Sequence, residues 1–187
     1  MGTGDGLFVC NCARHDPQTF FVGIDANRRP LQKISEKIHR KPSKGGLPNI
    51  LFAQSAVERL PDELEGVANE VYINFPWGSL LRAVTIGDES VLGKLRRICA
   101  PNALVRVLVG LDDERDRTEI DRLNLPPLSP DYVNARLVAK YRKAGFEIIE
   151  TVSLPPAALP ELHTSWARRL QRGSSRTFIR IVARAMG

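Results

Sequence analysis

The chain is poor in the residues that staple or metallate small proteins. Its cysteines are Cys10, Cys12 and Cys99, and its histidines are His15, His39 and His163. Three thiols exclude a disulfide framework, and Cys10-x-Cys12 lacks the second ligand pair of a zinc site. No metal is expected, and the thiols are expected to be the reduced residues of a cytoplasmic protein. No apolar stretch approaches the ~20 residues of a membrane span, and no signal-peptide pattern opens the chain, so no membrane partner is expected. There is no internal repeat, no low-complexity tract and no visible His/Asp catalytic pair. Aromatic residues make up 6% of the chain, and two of them are tryptophan, Trp77 and Trp166. At 187 residues the sequence is expected to form a single domain, 1–187, long enough to bury a core.

The most informative feature that is present stands at the very start. Gly2-Thr3-Gly4-Asp5-Gly6 is a glycine-rich loop of the kind that leaves the carboxyl end of a strand and enters a helix. About twenty residues on, Asp25 ends the apolar run Phe20-Phe21-Val22-Gly23-Ile24, where an acid meets ribose hydroxyls. A dinucleotide fingerprint needs its third glycine at position 7, which is Leu7. The spacing therefore favours S-adenosylmethionine (SAM) over NAD.

The net charge of +6 is unevenly spread. Residues 28–44 hold Arg28, Arg29, Lys33, Lys37, Arg40, Lys41 and Lys44 against Glu36 alone. From 168 onward come Arg168, Arg169, Arg172, Arg176, Arg180 and Arg184 with no acid. The rest of the chain is consequently acidic. Two basic segments on such a body suggest a polyanion surface, because neutralising phosphates releases counterions. Solvated helix faces explain one such segment easily and two less easily.

Hydrophobic patterning alternates strand and helix, which predicts an α/β fold with a mostly parallel sheet. Strands are predicted at Phe20–Asp25, Ile50–Gln54, Glu70–Phe75, Ala103–Val109, Phe146–Val152 and Thr177–Ala183, the last one antiparallel at the sheet edge. Helices are predicted near 6–14, 27–41, 79–99, 132–144 and 157–172. On the second, Leu31, Ile34 and Ile38 should pack inward, while Lys33, Lys37, Arg40, Lys41 and Lys44 take another face. Glu36 can pair with Arg40 at i+4. The charged, then proline-rich stretch Asp112–Asp131 is the one long connection, and such loops are often functional.

Several blocks go beyond a generic Rossmann-like reading. They are Gly2–Gly6, Gly23-Ile24-Asp25, Lys41–Asn49 (KPSKGGLPN), Ala56–Pro61 (AVERLP), Phe75–Leu81 (FPWGSLL) and Thr164–Leu170 (TSWARRL). In this order, from residue 2 to about 184, the chain resembles the aminoglycoside-resistance 16S rRNA (adenine-N1) methyltransferases of the kanamycin–apramycin resistance type. The resemblance implies a class I SAM-dependent methyltransferase, Rossmann-like, with an antiparallel last strand. It implies SAM over Gly2 and Gly4, with Asp25 on the ribose and Val57 and Glu58 at the cofactor adenine. Phe75, Pro76, Ser79 and Thr164 are implied beside the cofactor. Trp77 and Trp166 are implied to sandwich the target adenine, and Arg176 to hold the phosphate of the flipped nucleotide. Lys37, Arg40, Lys41, Arg169 and Arg172 are implied to contact RNA in the 30S subunit, with the enzyme acting as a monomer. Glu36, Leu123 and Ser174 depart from basic positions of the pattern, and Arg122 and Arg172 are neighbours that can substitute. A related tRNA (guanine-N7) methyltransferase and a non-catalytic RNA-binding remnant are the competing readings.

One departure is larger. The family pattern has a short hairpin and a first strand ahead of the glycine loop, where this sequence has Met1. That strand is expected to be central, between those ending at Asp25 and Phe75. Without it two edges should stay unpaired beside an apolar groove, a loss beyond the ~5–15 kcal/mol that holds a domain together. A misassigned start at a GTG valine codon within the motif is expected.

Overall fold

A computed structural model of the chain describes residues 1–158 and 176–187. Helix α1 (Leu7–His15) follows the glycine loop, and then come β1 (Phe21–Asp25), α2 (Arg28–Ile38) and β2 (Ile50–Gln54). The chain continues through β3 (Ala68–Asn74), α3 (Gly78–Ile86), α4 (Glu89–Ile98) and β4 (Cys99–Leu111). It ends with α5 (Arg117–Leu123), α6 (Pro130–Tyr132), α7 (Val138–Lys143), β5 (Phe146–Leu154) and β6 (Thr177–Ala185).

The strands form two sheets. β1 pairs with β2 in parallel, and the second sheet has the order β3-β4-β6-β5. β3 and β4 are parallel, whereas β6 is antiparallel to both of its neighbours. No ladder joins β1 to β3 among the described residues, so each has an edge with no strand partner, as the sequence predicts. The first three residues bridge these edges instead. Gly2 N and Thr3 N donate to Ile24 O at 2.8 and 3.2 Å, and the Met1 amino group donates to Tyr72 O at 2.8 Å. Burial pushes that amino group down to about 6. One apolar cluster nevertheless runs across both sheets, from Ile24 and Val57 to Ile73, Leu95, Val107 and Ile181.

Four expectations need correction. The helix predicted over 79–99 is two helices. Gly87 leaves α3 in the left-handed conformation at φ 67, and the Asp88 side chain caps α4 by accepting from Ser90 N and Val91 N. The last strand is antiparallel as expected but lies inside the sheet rather than at its edge. β6 buries Phe178, Ile179, Ile181, Val182, Ala183 and Ala185, which is apolar on both faces, while β5 exposes Glu147, Ile149, Glu150 and Ser153. Charge makes β5 the better edge. Within the long connection 112–131, α5 takes up seven residues. The predicted 132–144 helix begins at Pro130 and carries a π turn at Val133–Leu137. Most of the helix predicted near 157–172 lies outside the described residues; Pro156–Ala158 form a 3-10 turn.

Candidate active site

The glycine loop sits over the carboxyl end of β1. Gly2, Gly4 and Gly6 have φ values of 66, 53 and 70, which a side chain tolerates poorly. This backbone aims Gly4 N at Asp25 Oδ2 (2.8 Å), while Asn27 N holds Asp25 Oδ1 (2.8 Å). Each carboxylate oxygen keeps a second acceptor site, so Asp25 is fixed in place and can still receive ribose hydroxyls. A Cβ added to Gly4 would meet no atom within 4 Å, so this cradle opens outward. A Cβ on Gly2 would stand 3.4 Å from Leu80 Cδ2, so the loop lies directly against α3. Past β2, Val57 is buried and Glu58 is half-buried in a short turn, Val57–Arg59, which Lys94 Nζ ties down through Glu58 O at 2.6 Å.

The end of β3 turns sharply. Phe75 is a non-glycine residue at φ 51 in front of a proline, a strained placement worth ~1–3 kcal/mol. Phe75 N donates to Leu108 O at 2.8 Å, and its ring meets Phe178 edge-on, with centroids 6.1 Å apart at 77°. Pro76 is buried behind the turn. Trp77 comes out of it 53% exposed, among the few large apolar side chains left open to solvent. Ser79 is exposed in the first turn of α3. Thr164 and Trp166 lie outside the described residues, as do Arg169 and Arg172.

The segment after β4 holds buried acids that sequence reasoning did not single out, Asp112 and Asp116 ahead of α5 and Glu119 within it. Their only local signal was the charge density of the 112–131 connection. Asp112 accepts from Glu114 N and Arg115 N and turns the loop, while its own N–H donates to Asp116 Oδ2 at 3.0 Å. Arg176, at the foot of β6, forms an ion pair with Asp116, and its Nη1 also donates to Gly110 O at 3.4 Å. Both side chains of that pair are at most 10% exposed. Arg122 grips Glu119 through two 2.7 Å bonds and holds its carboxyl below the usual carboxylate range against the opposing effect of burial. Arg122 is therefore engaged within α5.

The basic face of α2 is built as expected. Leu31, Ile34 and Ile38 are buried, while Lys33, Lys37, Arg40, Lys41 and Lys44 are exposed. The Glu36–Arg40 pair does not form among the described residues; Gln32 Nε2 donates to Glu36 instead, at 3.4 Å. The next turn doubles back tightly, with Leu47 N donating to Ile38 O at 2.9 Å. A Cβ on Gly46 would fall 1.7 Å from Arg40 O, so only glycine allows this return. It keeps Lys41 and Lys44 beside the helix end.

Among the described residues no His/Cys/Asp/Glu group could hold a metal ion, and no helix is long and apolar enough to cross a membrane. The site is thus a backbone cradle with a fixed carboxylate, an exposed indole on the neighbouring strand end, and a cationic helix alongside.

Comparison with known proteins gives the family. A family model described as 16S rRNA (adenine(1408)-N(1))-methyltransferase matches residues 1–185. The chain is 35% identical over 182 residues to the 16S rRNA (adenine(1408)-N(1))-methyltransferase of Escherichia coli, covering 97% of this chain and 83% of that one. A crystal structure of an aminoglycoside resistance methyltransferase superposes with a TM-score of 0.85 at 45% identity, over 99% of this chain and 84% of the other. A variant of the 16S rRNA (adenine(1408)-N(1))-methyltransferase from Catenulisporales acidiphilia, solved with its cosubstrate SAM, gives 0.90 at 33% identity, over 100% and 84%. The fold is that of these SAM-dependent methyltransferases, and the chain belongs to the 16S rRNA (adenine(1408)-N(1))-methyltransferase family.

Proposed function

We propose that this chain methylates N1 of an adenine in the 16S rRNA decoding site of the 30S subunit, using SAM, and so confers aminoglycoside resistance. One observation carries the reading: Trp77 stands exposed on the strand end next to a glycine cradle whose Asp25 is already oriented. When bound, SAM supplies an electrophilic methyl group on a sulfonium. Adenine N1 has a free lone pair at neutral pH and attacks without a general base, which fits a rim that shows no His/Asp pair among the described residues.

What the protein must supply is extraction and alignment of the base. Trp77 offers one stacking face and Trp166 the other, and stacking of ~1–3 kcal/mol per base offsets part of the unstacking. Gly2, Gly4 and Asp25 seat the cofactor, with Val57, Glu58, Phe75, Pro76, Ser79 and Thr164 around it. Lys37, Arg40 and Lys41, with Arg169 and Arg172, meet rRNA phosphates. Arg176 faces the flipped nucleotide's phosphate while Asp116 keeps its fork in one orientation. The enzyme acts as a monomer on the subunit.

The deciding experiment is reverse transcription across the decoding site of 16S rRNA from cells expressing the chain. A methyl on N1 blocks the pairing edge, so a new stop one nucleotide before the adenine is expected. No stop despite abundant folded protein would sink the reading. A guanine-N7 methyl leaves the pairing edge free and gives no such stop.

A further inference from the structure

The direction in which Trp77 leaves the sheet is decided two residues earlier. Pro76 has a locked φ, and Trp77 itself is extended at φ −133 and ψ 163. The adjustable joint of the corner is therefore Phe75, at φ 51 in front of that proline. A residue with a side chain does not settle in this conformation unaided, so its surroundings must hold it there. The backbone supplies one restraint, the bond from Phe75 N to Leu108 O at 2.8 Å. That bond fixes the nitrogen and leaves rotation about the bonds that follow it open.

The second restraint comes from two strands away. In the order β3-β4-β6, β4 separates the end of β3 from β6, yet the Phe178 ring of β6 meets the Phe75 ring edge-on at 6.1 Å and 77°. It reaches that far by crossing the backbone of β4 at Gly110, its direct partner in the antiparallel ladder. A Cβ on Gly110 would fall 2.5 Å from Phe178 Cε1 and 2.6 Å from Cδ1, so any other residue would push the ring off this path. Leu108 and Leu154 close the ring in, and Phe178 is fully buried. Among the described residues these four side chains form a cluster of their own, apart from the core that joins the two sheets.

We propose that Phe178, laid across Gly110, is a positioning residue for Trp77: its ring holds Phe75 in the left-handed conformation that turns the chain and presents the indole to the target base. This rests on the base-stacking reading of Trp77. An edge-to-face aromatic contact is directional, so a flexible aliphatic side chain can fill the same space without fixing the ring that it meets. Phe178 holds neither cofactor nor base in this scheme, so its replacement should slow turnover without weakening SAM binding.

The test compares Phe178→Leu, Gly110→Ala and Ile181→Ala, each assayed for 30S methylation, SAM affinity and Tm. Each is also made in a Trp166→Phe background, where Trp77 is the sole tryptophan and its emission anisotropy reports the order of the corner. Misalignment on the ångström scale lowers kcat by on the order of ten- to a hundredfold. That loss is expected for Phe178→Leu, with lowered Trp77 anisotropy and unchanged KM for SAM. Gly110→Ala displaces the same ring from below and should reproduce both signals. Ile181 is buried on the same strand but on its opposite face, so Ile181→Ala should lower Tm while kcat and anisotropy hold. Wild-type turnover with unaltered anisotropy in Phe178→Leu overturns the proposal. If that variant does not fold, the same result in Gly110→Ala overturns it. An equal loss of kcat in Ile181→Ala also overturns it, because the effect would then follow general stability. Full activity in Trp77→Ala would instead remove the stacking reading itself, so the two failures are distinguishable.

Discussion

The two halves of this molecule handle charge in opposite ways. Around the two-stranded sheet, the cations of α2 and its following turn stand exposed, with no ion pair among the described residues, and the glycine cradle opens outward. Around the four-stranded sheet, charges are matched internally: Arg176 with Asp116, Arg122 with Glu119, Arg180 with Glu150 and Arg106 with Glu70. Both basic segments of the sequence carry the same net charge, yet only the first is left open to an outside polyanion at all of its described cations. The difference teaches that a run of basic residues becomes an open cationic face only where no neighbouring acid neutralises it. One half leaves its cations open to solvent, and the other, the frame, matches its charges internally.

The sharpest way to break this contrast is to remove an acid from the frame. Asp116→Ala leaves a buried guanidinium without its matching charge, and breaking a buried pair in this way typically costs ~3–5 kcal/mol. For a domain of this size that is a fall in Tm on the order of 10 °C, measurable by calorimetry. A surface carboxylate such as Asp62, whose side chain is 85% exposed, should shift Tm little by comparison. If the two substitutions behave alike, the frame is no more internally matched than the surface, and the contrast fails.

Trp77→Ala tests the exception on the frame side, the large ring that it exposes. Losing the stacking face and the alignment together should lower methylation by roughly a hundredfold or more, with SAM affinity by calorimetry nearly unchanged. Full activity would return the indole to a surface residue. Trp77 was legible in the sequence because Pro76 must end its strand and put the next residue on the rim. The placement of the glycine loop against Asp25 was legible for a similar reason, since it follows from backbone conformation and spacing within one βα unit. Asp116 and Glu119 were not. The partner of Asp116, Arg176, is 60 positions away in sequence, and nothing in a local pattern announces a pairing at that separation; Glu119 pairs with Arg122 inside a helix that the charge density alone did not reveal. The break between α3 and α4 was written in Gly87-Asp88, a helix stop followed by a cap, but the apolar periodicity on both sides hid it. The interior place of β6 escaped for a different reason. A strand apolar on both faces signals burial but does not say between which neighbours.

The smallest expected effect concerns the open half. Lys37→Glu combined with Lys41→Glu reverses two exposed cations that stand apart from the cradle, so fold and SAM affinity should be preserved. Each phosphate contact contributes roughly one unit to the slope of log affinity against log salt. The double variant should therefore bind 30S subunits with a slope reduced by about two, and its weakening should be greatest at low salt. The frame supplies the control. Arg180 is on β6, paired with Glu150 at 2.7 Å and half-exposed, so Arg180→Glu should leave the slope unchanged. An unchanged slope in the α2 variant, or an equal change in the β6 variant, would mean that neutralisation by neighbours does not decide which cations meet RNA. The two outcomes separate a contact surface from a merely solvated one, because a solvated face has no counterions to release to a partner it does not touch.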